Sequence, residues 1–171
     1  PPRRKAPETG SPVVAPANTL TAPQSVHVDH QHSITAALLR DFSRAVNADA
    51  RFASAYRNRA EARIDVGQQE EAIEDLSRAA AFDINNAELY LVRGYAYLNA
   101  SNPPSAIKDF TRAIELEPNA AQGHQARGLA NGLAEAHEEA LADLNRAIEL
   151  DPRSAVAFAY RAFVYKQSQQ L

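Results

Sequence analysis

Hydrophobic and polar positions repeat every 34 residues over most of the chain. Residues 53–86, 87–120 and 121–154 align without a gap, and we number each unit as columns, with residues 53, 87 and 121 in column 1. Small residues fill columns 8, 20 and 27, namely Ala60, Gly94, Gly128, Ala72, Ala106, Ala140, Ala79, Ala113 and Ala147. Three aligned segments that agree this well predict an array of similar supersecondary units.

Each unit contains two amphipathic helices. Columns 20, 21, 24, 27 and 28 have the spacing of one helix face, and columns 4, 8 and 11 mark the facing stripe of the preceding helix. Turn signals separate the helices: Gly67 in the first unit, and Asn102 with Pro103 as a helix cap and first turn in the second. Because a helical hairpin cannot bury its apolar face alone, neighbouring hairpins must stack to form the core. The pattern therefore predicts an all-α solenoid of three hairpins.

Half-units flank the three repeats. Residues 33–52 match only a second helix, and Leu38 stands in column 20, where the full units carry alanine. We predict an N-terminal capping helix here, because a leucine fits only where no first helix packs against it.

Residues 155–171 match only a first helix. No second helix follows to cover Phe158, Ala162 and Tyr165, so we predict an edge contact at these residues. A homodimer through this helix is the first interpretation, and a truncated hairpin or tail contact and a different partner protein are the alternatives.

The composition changes near the start of the chain. Six of the ten prolines lie within the first 23 residues, and this stretch has no helical or strand period. We predict that residues 1–32 form a Pro-rich extended tail or linker. The repeat domain would then span residues 33–171.

Charge and composition exclude several classes of function. The chain has 171 residues, a formal net charge of −3 and no cysteine, which excludes disulfides and thiolate chemistry. Arginine and lysine form no basic stripe, so no nucleic-acid partner is expected, and no apolar run is long enough to span a membrane. The alanine and arginine content favours a bacterial source. The compartment is open: cytoplasmic, or periplasmic if a signal or anchor precedes Pro1.

The sequence offers little catalytic or metal-binding chemistry. His27, Asp29, His30 and His32 lie within six residues and could ligate zinc or nickel. Their spacing does not match one helix face, so we favour a polar linker and predict no metal site and no cofactor. No nucleophile, acid pair or phosphate-binding loop is recognisable, and we predict that the chain is not an enzyme.

The columns resemble the tetratricopeptide repeat. The best matches to that motif lie in the second unit, at Tyr90, Gly94, Tyr97, Ala106, Phe110, Ala113 and Pro118. The first unit departs from the motif at Ala60, Arg63 and Ile84, and the third has His124 and Asn131 at aromatic columns. The resemblance implies a right-handed superhelix whose concave face binds a peptide or helix of a partner protein.

In this family the first helices line the concave face, with columns 2, 5, 9, 12 and 13 pointing inward. The resemblance therefore predicts a partner-binding groove at Arg57, Glu61, Ile64, Leu91, Tyr95, Leu98, Gln125, Leu129, Leu133, Ala159 and Phe163. Chaperone-binding members use a cationic clamp for a C-terminal carboxylate. Here the clamp columns hold Arg57, Glu61, Val92, Gln122 and Ala126, so that specialisation is not expected.

Arginine recurs in column 7 and aspartate in column 23. We predict that they pair within each repeat, as Arg59–Asp75, Arg93–Asp109 and Arg127–Asp143. That choice leaves Asp41 and Arg161 unmatched. The alternative is a staggered ladder from Arg59–Asp41 to Arg161–Asp143, which leaves none unmatched.

The sequence thus predicts a protein-interaction or scaffold module. Two alternatives stay open: a structural subunit held permanently in a larger complex, and the non-catalytic part of an enzyme whose catalytic domain is absent from this chain.

Overall fold

The repeat predicts helical hairpins, and the chain forms them. The computed structural model describes the backbone of residues 24–168 and the side chains of residues 33–168. This part of the chain contains eight α-helices and no β-strand. The helices are α1 (Gln24–Ala48), α2 (Ala53–Asp65), α3 (Gln69–Phe82), α4 (Ala87–Asn99), α5 (Pro103–Leu116), α6 (Ala121–Leu133), α7 (His137–Leu150) and α8 (Ala155–Ser168).

The helices pack in chain order as three hairpins with a single helix at each end. The hairpins are α2 with α3, α4 with α5, and α6 with α7, and each second helix also packs against the first helix of the next hairpin. Helix α1 covers α2, and α8 packs against α6 and α7. The predicted all-α hairpin solenoid is confirmed.

Small residues allow the two helices of each hairpin to approach closely. The alanines of columns 20 and 27 are almost completely buried. A Cβ atom added to Gly128 would lie only 2.6 Å from Leu144 Cγ, and one added to Gly94 would overlap the ring of Phe110. Columns 8 and 24 are therefore complementary in size.

The turns within the hairpins share one backbone geometry. Column 15 adopts a positive φ in all three, at Gly67 (79°), Ser101 (56°) and Glu135 (62°). The amide of the next residue then donates a hydrogen bond to the carbonyl of column 11. Asn102, for example, donates to the Tyr97 carbonyl at 2.8 Å. This is the left-handed closure typical of helix C-termini. The predicted cap of α5 is confirmed, because Asn102 Oδ1 accepts a hydrogen bond from the Ser105 amide at 3.2 Å.

The arginine and aspartate columns pair within each repeat, as predicted. Arg59 donates from Nε and Nη2 to the two carboxylate oxygens of Asp75, at 2.7 and 2.6 Å. Arg93 and Asp109 form the same bidentate pair, as do Arg127 and Asp143. Bidentate geometry fixes the relative height of the two helices of a hairpin. The staggered alternative is wrong.

A second contact of each arginine was not predicted. Nη1 of each column-7 arginine donates to a polar residue 16 positions earlier, on the second helix of the preceding unit. The acceptors occupy column 25 and are Ser43, Ser77, Thr111 and Asn145. One guanidinium therefore joins three consecutive helices. The recurrence of a small hydrogen-bonding residue in column 25 was the sequence signal for this contact.

The predicted start of the N-terminal helix is wrong. Helix α1 begins at Gln24, whereas the sequence analysis placed residues 24–32 in the extended tail and began the helix at Ser33. Pro23 ends the proline-rich stretch, and neither proline nor glycine occurs from Gln24 to Ala48, so nothing interrupts the helix. Residues 1–23 lie outside the described residues, and their assignment as a linker stays a prediction. The side chains of His27, His30 and His32 are likewise outside the described set.

Candidate functional site

The first helices lie on the inner face of the array. Helix α6 contacts α4 on one side and α8 on the other, whereas the second helices α3, α5 and α7 make no comparable contacts with one another. The array therefore curves with the first helices on its concave side. The residues predicted to line a groove belong to these first helices.

A cavity of about 340 Å³ opens on this face at the junction of α4, α5 and α6. Its lining combines apolar side chains with two carboxylates and an amide: Glu88, Leu91, Val92, Tyr95, Glu117 and Gln122. Leu91 and Tyr95 belong to the predicted groove. Glu88 was not named among the groove residues although its column, 2, is one of the inward-pointing columns. Glu117, in column 31, was not predicted because that column lies outside the first helices.

Tyr95 forms a half-buried wall of the cavity. Its ring lies edge-on to Phe110, with 5.2 Å between the ring centroids. Burial, with a smaller contribution from the nearby Tyr160, raises the pKa of Tyr95 to about 12. Low solvation disfavours the phenolate, so this wall presents a neutral, largely apolar surface.

Arg57 is held by two glutamates at the edge of the cavity. Its Nη1 lies 2.6 Å from Glu88 Oε2, and its Nε lies 3.6 Å from Glu61 Oε1. Arg57 also lines a smaller cavity of about 140 Å³ between α2 and α4. Because two carboxylates already face this guanidinium, the surroundings of Arg57 carry no excess positive charge.

The other predicted groove residues are distributed between the core and the surface. Ile64, Leu98 and Phe163 pack partly against the three core clusters, and Leu129 is half-buried. Gln125 donates to Ser154 Oγ at 2.8 Å. Glu61, Leu133 and Ala159 are exposed.

One of the predicted groove residues is also part of the core. Leu91 is only 9% exposed and belongs to the core cluster around Phe110. The reason is the curvature, which brings the first helices close enough to bury side chains between them. The groove as a binding site stays a prediction.

The residues of the predicted edge lie on the surface of α8. Phe158 and Tyr165 are 44% and 48% exposed, and Ala162 between them is exposed as well. The opposite side of α8 carries Ala157 and Val164, which are fully buried. The helix therefore packs on one side only.

Within the described part of the chain, no three His, Asp or Glu side chains come together in a way that could hold a metal ion. None of the described helices combines the length and apolar character needed to cross a membrane.

One of the three repeat units matches a known protein family. Residues 87–120 match the family model described as tetratricopeptide repeat. These are the residues of the second unit, whose columns agree best with the motif. No curated protein matches the sequence significantly.

Solved structures show the same fold. MamA is 23% identical over 77% of both chains, with a TM-score of 0.71. YrrB, described as a TPR protein with an unusual peptide-binding site, is 22% identical over 89% of this chain and 80% of its own, with a TM-score of 0.67. The second TPR domain of human RPAP3, in complex with an HSP70 peptide, is 29% identical over 64% of this chain and 92% of its own, with a TM-score of 0.62. Residues 87–120 thus match the tetratricopeptide repeat, and the array of described helices has the fold of tetratricopeptide-repeat proteins.

Proposed function

We propose that this chain is a protein-interaction module that binds a peptide or helix of a partner protein on its concave face. The observation that carries the proposal is the cavity at the α4–α5–α6 junction, which has an apolar wall and an acidic rim. Apolar surface with a few convergent polar groups is typical of a binding site. The rest of the concave face would add contacts on either side.

The rim indicates which partner side chains fit. Glu88, Glu117 and Gln122 are exposed, whereas Leu91, Val92 and Tyr95 behind them are buried or half-buried. A partner segment with an apolar side chain next to a lysine or arginine would place the apolar group against Tyr95 and the cation near the carboxylates. Such complementarity contributes to specificity and to the association rate.

A peptide that places its C-terminal carboxylate in this cavity would meet the acidic rim and fit poorly. Arg57, which forms an ion pair with the cavity residue Glu88, also lies close to Glu61. A terminal carboxylate bound to Arg57 would compete with these two glutamates, and in the cavity it would also approach Glu117. We therefore infer that the partner segment is internal or helical and is neutral or basic at the contact.

Two solved relatives support the general class of function. The RPAP3 domain is bound to an HSP70 peptide, and YrrB is described with a peptide-binding site. Neither identifies the partner of this chain. On this proposal the chain has no catalytic role of its own, in keeping with the prediction from sequence.

A peptide array of nine-residue segments tests the proposal. The wild-type chain is compared with Glu117→Lys, which reverses a charge at the rim, and with Glu115→Lys as the matched control. Glu115 lies two residues away on α5, pairs with Arg112 at 3.0 Å and is exposed. We expect the wild type and the control to select segments with an apolar residue beside a cation, and Glu117→Lys to lose that selection.

Two results would contradict the proposal. One is an array without selective binding, which would favour the alternative of a subunit held permanently in a larger complex. The other is equal selection by all three proteins, which would place the contact away from the cavity.

A further inference from the structure

The two ends of the array are complementary halves of one hairpin. Among the described residues, helix α1 is a second helix that no first helix precedes, and α8 is a first helix that no second helix follows. Helices α2 to α7 separate them, so α1 cannot cover α8 within one chain. We propose that α8 of one copy docks against α1 of the next copy, completing an intermolecular repeat.

Arg161 has the surroundings of the paired arginines, but none of the described residues supplies the carboxylate. Its Nη1 donates to Asn145 Oδ1 at 2.8 Å, as the other column-7 arginines do to column 25. Its guanidinium carbon lies 5.4 Å above the Phe158 ring, which matches Arg93 over Tyr90 at 5.6 Å. In the three complete repeats, Nε and Nη2 bind an aspartate. Within residues 33–168, Nε and Nη2 of Arg161 have no such partner.

Asp41 occupies the aspartate column on α1, and no first-helix arginine faces it among residues 33–168. Its counterparts Asp75, Asp109 and Asp143 are buried under their arginines. The Asp41 side chain is 67% exposed, and among the described side chains its ion-pair partner is Arg44, at 3.4 Å on the same helix. An Arg161–Asp41 pair between copies would extend the ladder by one step, with the bidentate geometry of the internal pairs.

Apolar side chains surround both charges. On α8, Phe158 and Tyr165 are exposed on either side of Arg161, and on α1 the exposed residues near Asp41 are Ile34 and Leu38. Burying the two faces against each other would remove this apolar surface from water. Leu38 and Ala162 are larger than the residues that the second repeat carries in these columns, Ala106 and Gly94. The intermolecular hairpin would therefore be wider than an internal one, and the association reversible.

The contact joins different surfaces, so it adds copies head to tail in an open chain instead of closing a symmetric dimer. This distinguishes it from a dimer in which two α8 helices pair with each other. In a symmetric α8–α8 dimer, Asp41 would have no role.

Charge reversal with a mixing step tests the proposal. We expect the wild-type 171-residue chain to show concentration-dependent growth in sedimentation velocity. Arg161→Glu alone and Asp41→Arg alone should each weaken association at least about tenfold, because like charges then meet across the contact. An equimolar mixture of the two variants should associate again, since each contact in alternating order then joins opposite charges.

The controls are Lys108→Glu and Glu74→Arg, which change the net charge identically at exposed positions of α5 and α3 and should associate like wild type. Circular dichroism establishes that each variant is folded. A wild type that stays monomeric into the millimolar range would overturn the proposal. So would normal association of Asp41→Arg, or a mixture of two folded variants that fails to recover association.

Discussion

Arg93 and Asp109 are joined by two hydrogen bonds, each 2.7 Å long, from Nε to Oδ2 and from Nη2 to Oδ1. The pair connects α4 to α5, and Nη1 of the same arginine reaches Ser77 on α3 at 3.2 Å. Ser77 in turn donates to the Ile73 carbonyl at 2.7 Å. Three helices from two units are thus fixed by one guanidinium. The aspartate raises the pKa of Arg93 above its ordinary value, chiefly through these side-chain hydrogen bonds.

Replacing Asp109 by alanine should destabilise the protein by about 3 kcal/mol, because it leaves a largely buried guanidinium without its counter-charge. Urea unfolding of Arg93→Ala, Asp109→Ala and the double variant measures the coupling energy, which we expect to be about 1 to 3 kcal/mol.

The matched control is the same cycle on Arg93 with Asp75, whose carboxylate binds Arg59 and Arg63 instead. We expect its coupling to be near zero. Strong coupling there, with none between Arg93 and Asp109, would contradict the pairing.

Much of this architecture was predictable because the repeat supplies several copies of each contact. The small residues of columns 8, 20 and 27 implied close helix packing, and Gly94 against Phe110 shows it directly. The recurrence of arginine and aspartate implied a ladder, although spacing alone could not choose the partner. In both candidate pairings the arginine and the aspartate lie at similar heights along their helices. Only the hydrogen bonds seen in the structure decide between the two pairings.

The start of α1 and the cavity were not predictable in the same way. The polar residues 24–32 have no apolar period, so nothing in the sequence required a helix there, although nothing prevented one. The cavity combines residues from three helices whose relative positions depend on the curvature of the array. Glu117 follows α5 at its C-terminal cap, and no repeat pattern links such a residue to Glu88.

Gly94 offers a test of the packing between columns 8 and 24. Gly94→Ala should destabilise the protein by about 1 to 3 kcal/mol, because the new methyl group overlaps the Phe110 ring. Adding Phe110→Leu should recover part of that loss, since the first repeat already combines alanine and leucine at these columns, in Ala60 and Leu76. Thermal melts of the two single variants and the double variant measure this. Additive losses in the double variant would show that the two positions do not share one packing site.

Tyr95 should make stability depend on alkaline pH. Its pKa of about 12 in the folded state exceeds the ordinary 10.0, so the folded chain holds this proton more tightly than the unfolded chain. The contribution to the free energy of unfolding is fully present below pH 10. It should be lost progressively from about pH 10 to about pH 12, amounting to about 2 to 3 kcal/mol.

Urea unfolding at several alkaline pH values measures this loss. Tyr95→Phe should reduce the pH dependence relative to wild type, whereas Tyr165→Phe, at an exposed position, should retain it. Identical slopes for wild type and Tyr95→Phe would show that the Tyr95 hydroxyl is well solvated in the folded protein.

The central claim is that the concave cavity at α4, α5 and α6 contacts the partner segment. Amide chemical-shift mapping of the labelled chain, titrated with an array-selected peptide, tests it most directly. We expect saturable shifts concentrated from Glu88 to Tyr95 and from Glu117 to Gln122, and no such shifts on the outer surfaces of α3 and α7. Shifts confined to the outer helices or to the exposed side of α8 would contradict it.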